Sequence, residues 1–406
     1  MILESTIENV VNIQKSKLLR KKSGLIRELE PSFKSLASHA LIISGVRRCG
    51  KSTLLLQMIE RMEDQNELLF LNFENPQLFD FKVQDFYKLD AIIERTNAQT
   101  LFFDELQIVD GWESYVRQKL DEGYQVIITG SNASLLSQEL GTKLTGRQIT
   151  QELFPFSYHE YLSFLALENN DQSVLAYMED GGFPEYLKSK DSEQLYALFN
   201  DILYRDIVTR NGIKDSKSLY RLALYLFSNI GNRITASKLK QPLSIGATST
   251  VMSWFSYLEM SYLVSFVPMY STSTKAQLIN PRKVYAIDLG MVKCVSTNLT
   301  EDLGRKLENM VFLNLRTKYK EIFYFDMQGE CDFVCFKNNK VVECIQVCYD
   351  LNPDTVKREI SGLIKALIHF GLTKGKIISF NQHDYFNQDG YEIEVVPVGK
   401  FLLDRN

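Results

Sequence analysis

The sequence predicts an α/β protein: a parallel sheet built on a glycine-rich loop, a helical middle region, and a second α/β domain toward the C-terminal end. Three observations carry this expectation. The apolar run Leu41-Ile42-Ile43-Ser44 breaks into Gly45, Gly50, Lys51 and Ser52 at the G-x-x-x-x-G-K-[ST] spacing. Two later apolar runs, Thr100 to Phe103 and Gln125 to Thr129, end in acids and in small polar residues, the pattern of buried strands whose C-terminal ends carry chemistry. Strand and helix patterns alternate up to Leu165, give way to helical periodicity, and return after Gly304.

The loop reads as a P-loop. Glycines let backbone N–H groups close around phosphate oxygens, Lys51 reaches the β- and γ-phosphates, and the Ser52 hydroxyl ligates Mg²⁺ at a helix N-terminus. Ala40 to Ser44 supplies the strand and Thr53 to Met62 the helix that the motif requires. Gly45, Arg47, Arg48, Gly50, Lys51, Ser52 and Thr53 are the candidate nucleotide-binding residues, with ATP and Mg²⁺ as the expected ligands. After a strand ending near Glu74, Thr100-Leu101-Phe102-Phe103-Asp104-Glu105 reads as a Walker B strand. Asp104 can hold the hydrated Mg²⁺ and Glu105 can polarise the attacking water. The strand from Gln125 ends in Gly130-Ser131-Asn132, which makes Ser131 or Asn132 a candidate for positioning that water, against a plain turn. Arg147 follows a glycine and is a candidate arginine finger, in cis or from a neighbouring subunit, against a surface salt bridge.

Composition bounds the remaining choices. With 406 residues, 45% hydrophobic and 24% charged, the chain can bury two or three cores. The net charge of −4 does not by itself point to nucleic acid. No uncharged apolar stretch of about 18 residues appears, and the start Met1-Ile2-Leu3-Glu4 carries an acid where a signal peptide is basic. These features point to a cytoplasmic protein without a membrane segment. The six scattered cysteines are then expected to be reduced. The basic stretch from Gln14 to Arg27 reads as a solvated helix leading into the first domain, with a phosphate-contacting arm as the alternative.

Ser44 to Thr53, Phe103-Asp104-Glu105-Leu106-Gln107 with Trp112-Glu113, Ile128-Thr129-Gly130-Ser131, Leu144-Thr145-Gly146-Arg147 and Leu153 to Ser157 together resemble a prokaryotic family of AAA-type ATPases joined to a C-terminal domain of unknown function. Gly181-Gly182-Phe183-Pro184, Asp201 to Ile207, Lys283 to Asp288 and Leu307-Glu308-Asn309 are similar to that family's C-terminal signatures, so the resemblance spans nearly the whole chain. It implies an AAA-like nucleotide-binding fold. It also implies phosphate-site roles for Gly50, Lys51, Ser52, Asp104 and Glu105, with sensor and finger roles for Ser131 and Arg147.

From Ser216 to Val267 the pattern reads helix, short helix, helix, and two strand-like runs follow, the order of a winged helix. Arg205 to Lys283 holds eleven basic residues against three acids, a local +8 that suggests a polyanion-facing surface. The would-be recognition helix carries Ser249, Thr250, Trp254 and Tyr257 but no Arg or Lys, so backbone contact with DNA at low sequence specificity is the expectation. A protein partner is the alternative for this module.

Past Gly304 the order is helix, three strands, helix, strand, with Asn338-Asn339 marking a tight hairpin. This resembles the restriction-endonuclease-like nuclease fold. Glu308 and Asp332 fit the first positions of its metal site, but Gln346-Val347-Cys348 stands where Glu-x-Lys is expected. A carboxylate ligand and a cation are thereby lost, so a nuclease-like module without cleavage is expected. A hairpin centred on Asn338-Asn339 sets Cys331 near Gln346 and Cys335 near Val342, which spreads the cysteines along the ladder and argues against zinc.

The expected organisation is an AAA-like P-loop ATPase domain with a basic N-terminal helix over 1–165, a helical connector over 166–212, a winged helix over 213–300 and a nuclease-like domain over 301–406. The expected function is ATP binding and hydrolysis in association with DNA, with a homo-oligomer as an open possibility. The alternatives are a nucleotide-gated protein-interaction module and an ATP-dependent nuclease.

Overall fold

The computed structural model describes residues 2–29, 38–62, 64–65, 67–133, 143–144, 146–296, 302–327 and 329–404. The chain divides into two compact units, 1–154 and 155–406, so the division falls before the pattern change at Leu165. Thr145 of the Leu144 to Arg147 motif lies outside the described residues.

The first unit runs α1 (Glu4–Arg20), β1 (Ala40–Ser44), α2 (Lys51–Glu60), β2 (Leu68–Asn72), α3 (Phe86–Thr96), β3 (Thr100–Asp104), α4 (Trp112–Asp121), β4 (Gln125–Gly130) and β5 (Gln148–Glu152). Its sheet is parallel throughout, in the order β2-β3-β4-β1-β5. β1 and β3 are buried along their whole length, as parallel strands covered on both faces must be. β4 lies between the two strands that carry the P-loop and the paired acids, so the ends of all three meet at one rim. The basic N-terminal helix is not simply solvated. α1 buries Ile7, Val10, Val11 and Leu18, and the Gln14 amide caps the β2 edge, accepting from Asn72 N at 2.7 Å and donating to Asn72 O at 3.1 Å. A covered edge cannot pair with another chain.

The second unit begins with α5 (Tyr158–Leu165), α6 (Asp171–Asp180), α7 (Pro184–Ser189), α8 (Ser192–Asp201) and a π-helical stretch over Ile202–Thr209. Then come α9 (Ser216–Phe227), β6 (Arg233–Ile234), α10 (Ala236–Lys240), α11 (Thr248–Met260), β7 (Val264–Pro268), α12 (Thr274–Ile279) and β8 (Arg282–Ala286), the strands forming an antiparallel sheet in the order β6-β8-β7. The chain continues through α13 (Leu289–Val295), α14 (Leu303–Lys318), β9 (Glu321–Asp326), β10 (Glu330–Lys337), β11 (Lys340–Val347), α15 (Val356–Phe370), β12 (Lys374–Ser379), β13 (Asp384–Gln388), β14 (Tyr391–Pro397) and α16 (Val398–Leu403). These last strands form a mixed sheet ordered β13-β14-β12-β11-β10-β9.

Asn338 and Asn339 both take positive φ, 53° and 61°, as a two-residue hairpin turn requires. The register differs from the sequence expectation by one residue. An irregularity between Cys335 and Phe336 sets Cys335 opposite Glu343 and Val334 opposite Cys344; a bulge inserts one residue and moves everything beyond it. The cysteines stay free, and among the described residues no group of three His, Cys, Asp or Glu side chains is arranged to hold a metal. No described helix is long and apolar enough to cross a membrane.

Two of the signature segments meet in this unit. The Asp288 carboxylate caps α13, accepting from Met291 N at 2.8 Å, and also accepts from Gly182 N at 2.6 Å. Gly181 has φ +68°, and a Cβ there would fall on the Asp288 carboxylate. Gly181→Ala should therefore cost about 2–4 kcal/mol, from the positive φ and the overpacking together. Gly212→Ala, at φ +60° with no described atom within 4 Å of its Cβ position, should cost only about 1 kcal/mol. Urea unfolding of the two variants measures the difference, and equal midpoints would remove the close-packing explanation.

Candidate functional site

The rim of the parallel sheet gathers the predicted residues. α2 begins at Lys51, and Gly50 turns the chain into it at φ +107°, a conformation that glycine adopts without strain. The Lys51 ammonium is 5% exposed and donates to Gly45 O at 3.0 Å and Val46 O at 3.2 Å, with Glu105 Oε1 at 3.6 Å. Burial alone would push its pKa down, but the carboxylates of Glu105 and Asp104 outweigh this and hold it above the usual lysine value.

Asp104 is fixed by three donors from three directions. Its Oδ2 accepts from Ser52 Oγ at 2.8 Å and from Asn72 Nδ2 at 2.7 Å, and its Oδ1 accepts from Thr129 Oγ1. Burial and the neighbouring Glu105 charge raise its pKa above the ordinary aspartate value, against the Thr129 and Ser52 hydrogen bonds. Glu105 leaves the strand in the left-handed region, φ 57°, a strained position for a residue with a Cβ and one associated with functional sites. That turn brings its Oε2 to Gln107 Nε2 at 2.5 Å, Ser131 N at 3.2 Å and Ser131 Oγ at 3.1 Å. Burial pushes the Glu105 pKa up, yet Lys51, Gln107, Arg47 and Ser131 more than offset it, so this carboxylate is held below the usual range and stays ionised.

The structure thus brings Lys51, Ser52, Asp104, Glu105 and Ser131 together. Asn132 is also there, its carbonyl accepting from Ser44 Oγ at 2.9 Å. Arg47 crosses to Glu74 at 2.8 Å, and Arg48 is exposed in the loop. The donor set fits Mg²⁺, a hard ion that takes hydroxyl and carboxylate oxygens: the Ser52 hydroxyl and Asp104 carboxylate already face one another across a single hydrogen bond. The sequence reading gave no role to the supports Asn72, Gln107 and Thr129: Asn72 and Thr129 become neighbours of Asp104 only through the sheet order, and Gln107 reaches Glu105 through the turn after β3. It also missed Arg27. Its guanidinium is buried and donates to Cys49 O and Phe154 O, each at 2.8 Å, while Gln57 ties the same segment to α2 through Arg27 N at 3.2 Å and Leu25 O at 2.6 Å.

For Arg147 the correction concerns the cis reading alone. Its carbonyl accepts from Ala40 N, at the start of β1, whereas the P-loop follows the end of that strand. Four residues of strand span about 13 Å, and the guanidinium is engaged with Asp121 at 2.7 Å. Within its own chain Arg147 sits at the opposite end of the strands from the P-loop and does not reach a nucleotide held there.

In the second unit, Glu308 and Asp332 do come together, but around Lys283 rather than around Gln346. The Lys283 ammonium lies 2.9 Å from Glu308 Oε1, 2.7 Å from Asp332 Oδ1 and 3.2 Å from Glu330 Oε1. Gln346 adjoins Asp332 through the backbone, accepting from Asp332 N at 3.1 Å, and donates to Glu359 Oε2 at 2.6 Å. Arg233 pairs with Asp326 and Glu330. Two of the eleven basic residues counted toward the +8 surface are therefore neutralised by acids from outside that stretch. Trp254 is also withdrawn, packed into the core.

A parallel sheet in this order, with a P-loop on one strand and paired acids on the second strand beyond it, defines a P-loop nucleotide-binding domain. The family described as an AAA domain matches residues 37–162, and a domain of unknown function (DUF8612) matches residues 171–302. An uncharacterized protein of Methanocaldococcus jannaschii is 31% identical, the alignment covering 99% of this chain and 96% of that protein. An uncharacterized protein of Haemophilus influenzae is 29% identical over 89% of this chain and 94% of its own length. The chain belongs to this family of AAA-domain proteins carrying a second domain of unknown function.

Arg147→Ala should leave ATP affinity and turnover at low protein concentration within about twofold, because an exposed ion pair contributes at most about 1 kcal/mol. A large loss of turnover in dilute enzyme would contradict the geometry. A loss that appears only as concentration rises would assign the residue to a neighbouring subunit.

Proposed function

We propose that the protein is an ATP hydrolase that works in contact with the DNA backbone. The observation that carries the ATPase part is the constellation of Lys51, Ser52, Asp104 and Glu105 at one rim of the sheet. In this reading Lys51 exchanges its loop carbonyls for phosphate oxygens. Ser52 and Asp104 hold Mg²⁺, which when bound neutralises the charge on the phosphates. Glu105, ionised and aimed by Gln107 and Ser131, takes the proton of the attacking water. Lys51→Ala should weaken ATP binding by at least about 100-fold, which is about 2.7 kcal/mol. Glu105→Gln should keep the affinity and slow hydrolysis by about 10²–10⁴. Nucleotide titration and single-turnover hydrolysis separate the two, and wild-type turnover in Glu105→Gln would sink the assignment of the base.

The DNA part rests on topology and charge. The order α9, β6, α10, α11, β7, α12, β8 with sheet order β6-β8-β7 supports a winged-helix reading. Lys217 and Arg221 on α9, Lys238 and Lys240 on α10, and Lys275 on α12 are exposed. Backbone contact without base readout suits this surface, since α11 carries no Arg or Lys. Affinity for duplex DNA should then fall linearly on a log–log plot against salt and vary little with sequence. Replacing Lys238 and Lys240 together by alanine should reduce that slope by about 2. No binding at about 50 mM salt, or a slope of zero, would reject DNA as the partner. The exposed pair Leu278 and Ile279, 63% and 68% accessible, favours the second reading, a protein partner for the same module. Stimulation of ATP turnover by DNA separates the two.

The mixed C-terminal sheet supports a nuclease-like module without cleavage, and the buried thiols suit a cytoplasmic setting. A homo-oligomer in which a neighbour supplies Arg147 remains part of the proposal.

A further inference from the structure

The cluster around Lys283 has the make-up of a cation site with the cation already in place. Glu308 comes from α14, Glu330 and Asp332 from β10, and Lys283 from β8, so three elements send charge to one point. The ammonium is 3% exposed and makes all three of its donor contacts to carboxylates, at 2.7, 2.9 and 3.2 Å, which fills its hydrogen-bonding capacity. Two of the carboxylates are held by further donors. Glu308 Oε1 also accepts from Tyr285 OH at 2.6 Å, and Asp332 Oδ2 accepts from Val347 N at 2.9 Å.

We propose that Lys283 is the resident cation of this cluster: its ammonium stands where a hard divalent ion, Mg²⁺ or Mn²⁺, would otherwise be held by Glu308, Glu330 and Asp332, and its presence is what keeps such an ion out. The carboxylate oxygens are spaced for an ammonium, which keeps about 2.8 Å to oxygen, and not for a metal, which requires about 2.1 Å. A covalently attached cation cannot be removed by a chelator and cannot polarise water as a Lewis acid. The same atoms that could gather a metal instead bind β8 to α14 and β10. The inference goes beyond the DNA reading and does not depend on it, since it concerns only what the carboxylates hold.

The test is Mn²⁺ binding followed by electron paramagnetic resonance without nucleotide, in full-length protein carrying Ser52→Ala so that the P-loop site does not contribute. Without further change this protein should bind no Mn²⁺ that Asp332→Asn removes. Adding Lys283→Ala should create a site at least about tenfold tighter for Mn²⁺, lost again when Asp332→Asn is combined with it, and Mn²⁺ should raise the melting temperature of the Lys283→Ala protein only. Lys283→Arg, which keeps the charge, should stay metal-free. If Lys283→Ala folds only when refolded with Mn²⁺, that rescue supports the proposal. If it does not fold with or without Mn²⁺, or folds and gains no Mn²⁺ site, the proposal is wrong. Independently of that variant, Mn²⁺ binding or Mn²⁺-dependent DNA cleavage by protein with Lys283 intact, abolished by Asp332→Asn, would also overturn it.

Discussion

The first unit depends on one buried carboxylate. Asp104 is 1% exposed, and an ionised group taken that far from water is tolerable only if its oxygens are paired. The partners come from α2, β2 and β4, through Ser52, Asn72 and Thr129, so satisfying one charge fixes the ends of four elements relative to each other. The sheet order makes this possible, because β4 intervenes between β1 and β3 and brings Thr129 and Ser131 alongside the acids. A chain with the same motifs and another strand order would present the same residues without gathering them.

In the second unit the equivalent constraint is strand β8. Its first half supplies Lys283 to the carboxylate cluster, Tyr285 stacks on Phe312 at 4.4 Å between ring centroids, and Ala286 exchanges two hydrogen bonds with the Asn309 amide, at 2.8 and 3.0 Å. Asp288 follows and receives Gly182. The signature segments Gly181 to Pro184, Lys283 to Asp288 and Leu307 to Asn309 therefore describe one packed joint. Residues that draw attention in the sequence as potential chemistry are here principally architecture: each buried polar group has a partner from another signature, and loss of one member strands the other.

What the sequence makes legible is local. The P-loop, its strand and helix, the paired acids and the Asn338-Asn339 turn are each encoded within about ten residues, where spacing and backbone preference determine the outcome. The hairpin of β13 and β14, closed by Asp389 and Gly390 at positive φ, went unassigned because its first strand is exposed and polar and has no apolar alternation to mark it. Arg147 follows the right kind of residues and still lies at the wrong end of the sheet, since direction along a strand is a property of the fold. The +8 stretch overstates the basic surface for the same reason. Lys283 and Arg233 meet their acids across 25 to 97 residues of chain, and no window of composition sees that pairing.

The two carboxylate sites can be compared by what their lysines are bound to. Lys51 is held by two backbone carbonyls and stands 3.6 Å from its carboxylate. Those contacts to uncharged carbonyls are each worth about 1.5–3 kcal/mol net and can be exchanged for the more strongly attracting oxygens of a polyphosphate. Lys283 instead meets three carboxylates, at 2.7, 2.9 and 3.2 Å. Any anion approaching it would have to displace charges that already match its own, leaving them buried and unpaired. A lysine beside acids is common to both sites, but only the first is arranged so that binding an anion improves on what the lysine has. That asymmetry places exchangeable chemistry at the P-loop and a fixed internal ion cluster in the C-terminal unit.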